Sequence, residues 1–140
     1  MKMIVDNYKY SDTTKVIIGA FYKVYNSLGY GFLEKVYVNS LLIELRKLGL
    51  VCETHYQITV FYDDQEVGFY IADILVNGFI IIEVKATETL CEAHEFQLVN
   101  YLKATETEVG LLLNFGKKPE CKRKVFSKVK MNTDDADFYD

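Results

Sequence analysis

Three charged residues stand in the otherwise apolar stretch "ADILVNGFIIIEVKA", Ala72 to Ala86: Asp73, Glu83 and Lys85. Burying a charge is costly unless it is paired or bound to a metal. Either these three lie at solvated strand ends, or they do chemistry. Glu83 and Lys85 are two apart, so on a strand they leave one face while Val84 leaves the other. Asn77-Gly78 is a strong hairpin signal, because both central positions of a type I′ turn need positive φ. Counting outward from that turn pairs Val76 with Phe79 and Asp73 with Ile82. Asp73 then lies next to Glu83 across the ladder, and a bulge or twist would bring both carboxylates to one ion. Two close carboxylates repel each other unless a proton or cation sits between them. Mg²⁺ suits such a pair, since it takes oxygen ligands from one or two carboxylates, water and substrate phosphate. Lys85 would lie beside the ion, placed to orient an attacking water or neutralise developing charge.

Further candidates lie elsewhere in the chain. On a helical wheel Val38, Leu41, Leu45 and Leu48 fall within about 40° of Glu34, which therefore sits where a leucine is expected. It either borders the core in a first turn, where the helix dipole favours it, or supplies a third carboxylate aimed at the same cation. Gln97 and Tyr101 are four apart and share a helix face, flanked by His94 and Asn100. They can hydrogen-bond a phosphate or a water, or pack as ordinary half-buried polar residues.

The elements that must position these groups follow from periodicity. "SDTTKVIIGAFYKVYNSLG" predicts a helix, with Ser11 or Asp12 as its cap and Gly29 at its end. "LEKVYVNSLLIELRKLG" predicts a second, ending at Gly49. "VCETHYQITVFY" and "VGFYIADILV" predict strands joined by a "DDQE" turn. "FIIIEVKA" is nearly all apolar, which suits a central strand covered on both faces. "TLCEAHEFQLVNYLKA" predicts a helix, "EVGLLLNFG" a strand, and "KVFSKVK" an edge strand. The order implies an α/β or α+β sandwich with a mixed sheet, and a right-handed crossover after "FIIIEVKA".

Composition narrows the class. With 140 residues, half of them hydrophobic and 26% charged, the chain suits one soluble domain over residues 1–130. A mobile acidic tail is expected over 131–140. The N-terminus lacks an apolar signal-peptide core and no run approaches a membrane span, so a cytoplasmic protein without membrane contact is expected. Cys52, Cys91 and Cys121 are odd in number and widely spaced, so they suggest simple thiols rather than disulfides or a zinc knuckle. His55 and His94 are too few for a His-rich metal site. The net charge is −4, yet Lys117, Lys118, Lys122, Arg123, Lys124, Lys128 and Lys130 face one acid, Glu120, over 117–130. That stretch can track phosphates, or it can protect the edge of a late strand.

Together these residues carry a resemblance. Asp73, then nine residues, then Glu83-Val84-Lys85, resembles the D-x(n)-(D/E)-x-K core of the PD-(D/E)XK nuclease superfamily. "GFLEKVY", Gly31 to Tyr37, resembles the G-x-x-E-x-x-Y signature of a small family within it, and "HEFQLVNYLKAT" and "VGLLLNFG" resemble its next blocks. The resemblance spans roughly residues 14–124. It implies a restriction-endonuclease-like fold with an αβββαβ core, flanked by helices. By position Glu34 is similar to the superfamily's helix-borne acid, Asp73 and Glu83 to its metal ligands, and Lys85 to its catalytic lysine. Gln97 with Tyr101 resembles the Q-x-x-x-Y block of the recombination-type members, which supports the site and the bound strand. Ala72 stands where the name-giving proline would be, a change of backbone rather than of chemistry.

The activity implied is Mg²⁺-dependent hydrolysis of nucleic acid, expected to be DNA, with Mn²⁺ as substitute. The Val84 carbonyl would complete the inner shell around the ion, and Glu34 would act through water or a second ion. Lys117, Lys118, Lys122, Arg123 and Lys124 are the candidate phosphate contacts. A homodimer is consistent with cutting two strands. Two alternatives compete: a nucleic-acid-binding or regulatory module without useful turnover, and a structural protein whose acids are a solvated strand end.

Overall fold

The computed structural model describes residues 10–127. The acidic tail and the end of "KVFSKVK" lie outside them. Helix α1 (Ser11–Leu28) turns Ile17, Phe21 and Val24 inward. Gly29 ends it at φ 69°, its N–H donating to the Tyr25 carbonyl at 2.7 Å. Neither Ser11 nor Asp12 caps the start, which corrects that expectation. Ser11 is already helical and its carbonyl accepts from Thr14 Oγ1. The residue before it, Tyr10, takes φ 59° and stacks on Phe79 at 4.1 Å, so packing anchors this end. Helix α2 (Glu34–Lys47) buries Tyr37, Leu41, Leu42 and Leu45, and the chain turns at Gly49 with φ 85°.

Five strands follow, with one helix between the third and fourth: β1 (Cys52–Tyr62), β2 (Gln65–Val76), β3 (Ile80–Lys85), α3 (Glu92–Lys103), β4 (Val109–Phe115) and β5 (Pro119–Val125). They form one sheet in the order β1-β2-β3-β4-β5. Only β3 and β4 run parallel, joined through α3; the other neighbours are antiparallel. This is the expected α/β fold with a mixed sheet. Helices α1 and α2 pack on Ile74, Ile80, Ile82, Val84, Leu111 and Leu113 from one side. Helix α3 packs on Ile58, Ala72, Leu75, Ile81 and Leu112 from the other. The apolar run of β3 is therefore covered twice, and Ile80, Ile81 and Ile82 are fully buried, worth roughly 1.5–3 kcal/mol each.

Two details differ from expectation. Asn77 and Gly78 take φ 52° and 79°, the predicted turn, but Val76 pairs with Ile80. Phe79 donates its N–H to the Val76 carbonyl and stays out of the ladder, which slides the whole hairpin by one residue. The edge strand also comes earlier than "KVFSKVK": β5 starts at Pro119, and proline is tolerated at the first residue of an edge strand.

The loop leaving β3 is pinned from behind. Buried Asn114 accepts from the Thr87 N–H through Oδ1 and donates through Nδ2 to the Thr87 carbonyl and Glu120 Oε1, all within 3.0 Å. Glu120 also accepts from the Leu90 N–H. Gly116 fits against this loop so closely that a Cβ would lie 2.4 Å from the Thr87 carbonyl oxygen. Gly116→Ala is expected to cost about 1–3 kcal/mol by displacing backbone, a fall of several degrees in Tm. Unchanged Tm in thermal denaturation would mean that the loop moves freely.

Candidate active site

The three central side chains meet where β2 and β3 part. Their ladder ends at Ile74 and Ile82, and the next step of the same register sets Asp73 opposite Glu83. There the side chains replace the missing ladder bonds. Glu83 Oε1 accepts from the Asp73 N–H at 2.9 Å, and Asp73 Oδ2 accepts from the Val84 N–H at 2.8 Å. The one-residue slide in the turn produces this facing, in place of the diagonal expected from sequence.

The backbone on the other side of Asp73 explains how its carboxylate reaches the opening. Tyr56, Ile58 and Ala72 pack toward α3, while Cys52, Ile74 and Val76 pack toward α1 and α2. Residues 52 and 56, and 72 and 74, have equal parity yet opposite faces. The alternation thus inverts in both strands at one level. That level is His55 and Asp73, which stand opposite each other between the pairs Thr54–Ile74 and Tyr56–Ala72. His55 takes φ 52°, a left-handed conformation rare for a residue inside a strand. Such strain persists only where the surroundings enforce it, and it collects at functional sites. The sequence carried little sign of this beyond a histidine, a residue type that tolerates positive φ better than most.

Electrostatics set the site apart from the rest of the molecule. Glu83 is 6% exposed. Burial first, then the neighbouring Asp73 charge, push its carboxyl up to about 8, against the opposing pull of the Asp73 N–H and Lys85. Burial also raises Asp73, offset by the Val84 N–H, Lys85 and His55. Lys85, the last residue of β3, is the cation felt by Asp73, Glu83 and Glu34 together. A pair held this way retains a proton or takes a cation.

Glu34 arrives from the opposite layer. It is the first residue of α2, exposed, and its carboxylate feels the backbone N–H of Ala86, beside Lys85. Partial burial and Asp73 raise it, while Lys85 lowers it. The loop before it is clamped by Tyr37, which is fully buried and stacked on Phe115 at 4.2 Å. The Tyr37 hydroxyl donates to the Gly29 carbonyl and accepts from the Phe32 N–H, while Gly31 takes φ 110°. The spacing of Gly31, Glu34 and Tyr37 therefore has a mechanical basis: a glycine bend, an acid at the helix start, and a tyrosine one turn later that holds the bend. Glu34 and Asp73 share a polar cleft of about 450 Å³ with Asn39, Arg46 and His55. Arg46 and His55 were not among the residues singled out from sequence.

On the α3 side Tyr101 is buried, and burial followed by the charges of Glu83 and Asp73 raises its hydroxyl. Gln97 is half-buried one turn earlier on the same helix. Val84 buries its side chain toward α1 and α2 and contributes its backbone. The basic residues are more dispersed. Lys117 pairs with Glu88 at 3.3 Å and Lys124 with Glu95 at 2.6 Å. Lys122 acts on Glu95 from the same face as Lys124, whereas Arg123 alternates to the other side of β5 with Cys121. Lys118 is exposed in the β4–β5 turn.

The donor set fits a hard divalent cation. Asp73 and Glu83 each give one oxygen to the backbone, leaving Oδ1 and Oε2 for another partner. Among the described residues no group of three His, Cys, Asp or Glu side chains is gathered closely enough to hold an ion alone. Two carboxylates completed by substrate phosphate and water are the usual provision for Mg²⁺.

Comparison with known proteins gives a consistent result. A family model described as the PD-(D/E)XK nuclease superfamily matches residues 11–124. The crystal structure of SSO0001 is similar in fold, with a TM-score of 0.53 at 17% identity, covering 96% of this chain and 70% of that one. No curated protein matches.

Proposed function

The chain belongs to the PD-(D/E)XK nuclease superfamily, and from that premise we propose that it is a divalent-metal-dependent phosphodiesterase that hydrolyses nucleic acid, DNA in the first instance. The observation that carries this is the interlocked Asp73–Glu83 pair, with Lys85 and Glu34 at the end of β3. Buried carboxylates whose proton is held this tightly gather at active sites, which favours this reading over a purely structural one.

When bound, a divalent cation would supply Lewis acidity toward a phosphate oxygen and an acidified water. Asp73 and Glu83 would hold it, with the Val84 carbonyl as a third donor. Lys85 would orient the attacking water and stabilise the charge that builds on the phosphate. Glu34 would act through water or a second ion from the opposite layer. Tyr101 and Gln97 would support the site and the strand, as in the Q-x-x-x-Y members. The clamp of Gly31, Glu34 and Tyr37 is the reason to place the chain in the G-x-x-E-x-x-Y branch. No helix of the described residues is long and apolar enough to cross a membrane.

The test is a cleavage assay on single- and double-stranded DNA and RNA in Mg²⁺, Mn²⁺ and EDTA. Cleavage should require the cation and vanish in Asp73→Ala. A wild-type protein that takes up Mn²⁺ and cuts none of the four substrates would overturn the enzyme reading in favour of a binding module.

A further inference from the structure

A broad concavity lies on the α3 side of the acids, between that helix and the outer half of the β1–β2 hairpin. It measures about 760 Å³, within the roughly 300–1,000 Å³ of ligand sites. Its helical wall is a single face of α3, with Phe96, Gln97, Asn100 and Tyr101 at helical spacing. Its sheet wall carries Phe61 and Tyr70. Three of these aromatics are exposed: Phe61 at 63%, Phe96 at 62% and Tyr70 at 50%. Apolar rings are normally buried; the inversion at His55 and Asp73 turns Ile58 and its partner Tyr70 toward α3, and Phe61 lines the groove farther out, beside a break in register after Val60.

The groove has two further properties. It borders the acid cluster through Tyr101, which lines its floor, packs in one core with Ala72 and Ile81, and feels the charges of Glu83 and Asp73. Tyr70 extends that floor outward, its ring 5.5 Å from that of Tyr101. The groove's lining also contains one charged residue, Lys103, and it is a cation. Exposed rings with polar and cationic neighbours suit successive flat bases on a phosphate chain, since every base has a π-face to stack. A paired duplex hides those faces.

We propose that this groove binds unpaired nucleobases of a single-stranded nucleic acid, stacking them on Phe96, Tyr70 and Phe61 and leading the strand to the acids. The proposal rests on the nuclease reading for what happens to the strand, but base binding is measurable without turnover. It makes the substrate a single strand, or a duplex end that has opened.

The experiment is fluorescence anisotropy with a labelled oligothymidylate and an abasic oligomer of equal length and charge, in EDTA, on the full chain. Wild type should bind the abasic oligomer at least about tenfold more weakly. Phe96→Ala and Phe61→Ala, both at exposed positions that leave the core intact, should each weaken oligothymidylate binding by about 5- to 150-fold and leave abasic binding unchanged. Equal binding of the two oligomers, or unchanged binding in both variants, would overturn the proposal. So would sedimentation showing a dimer that Phe96→Ala dissociates, since a second copy would then occupy the groove. Base-dependent binding without cleavage would support the groove and count only against turnover. Cleavage without base dependence would do the reverse.

Discussion

Replacing Lys85 with alanine should lower kcat for nucleic-acid cleavage by about 10²–10³-fold, the usual cost of removing one preorganised group that stabilises transition-state charge. The prediction separates chemistry from metal binding. Lys85 is the cation shared by Asp73, Glu83 and Glu34, yet it offers no oxygen to an ion. Mn²⁺ should therefore still raise the Tm of Lys85→Ala, because a ligand that binds only the folded chain stabilises it by RT ln(1 + [L]/Kd). Removing a like-signed neighbour of the metal should leave that rise as large as in wild type, or larger. Glu83→Ala should behave oppositely and lose both the Tm rise and cleavage. Single-turnover cleavage and Mn²⁺ titrations of the two variants are sufficient. Unchanged cleavage by purified Lys85→Ala would sink the assigned role, whatever the metal does.

Much of the frame that positions Lys85 is legible in the residues. The glycines at 29 and 49, the Asn77-Gly78 pair and the apolar run of β3 each act locally, so turns and central strand can be read without the rest of the chain. Glu34 is legible for a related reason: a carboxylate on an apolar stripe breaks a local pattern. The structure gives it the first position of α2, on the exposed rim of a cleft that Asp73 also lines.

What escaped was geometry decided between elements. Whether Phe79 belongs to the turn or to the ladder is one residue's difference, and Phe79, left out of the ladder, stacks on Tyr10 from far away in the chain. That single step converts a diagonal Asp73–Glu83 relation into a facing one. The inversion at His55 and Asp73 is hidden for the same reason, since alternation looks regular until two cores compete for one strand. The basic stretch is divided by the same kind of geometry. Its charges are adjacent in sequence, but a strand sends neighbours to opposite faces, and two of them are already paired with Glu88 and Glu95. The aromatic groove could not be found by motif at all, because its walls come from residues 58–61, 70 and 93–104.

Glu83→Gln should make the metal-free protein more stable, and the gain should depend on pH in one direction. The Glu83 carboxyl has its ordinary value of 4.5 in the unfolded chain and about 8 in the native one. Below about pH 4.5 it is neutral in both states and contributes nothing. Between 4.5 and 8 the unfolded chain releases the proton while the folded chain holds it, so stability falls as pH rises. Above 8 the full penalty applies, on the order of 3–5 kcal/mol for a carboxylate this buried. The amide introduced by Glu83→Gln removes the ionisation and keeps an oxygen to accept from the Asp73 N–H, the bond that ties β3 to β2. At pH 8.5 in EDTA the variant should therefore melt higher than wild type by about 10 °C, a margin that closes toward zero near pH 4.5. Saturating Mn²⁺ should narrow the gap from the other side, by raising wild type alone. Equal Tm values for the two proteins across this pH range would mean that Glu83 is solvated and carries no functional strain. The trade is between stability and readiness: the folded chain holds a carboxylate that gains most when a cation replaces its proton, which is the condition the proposed reaction requires.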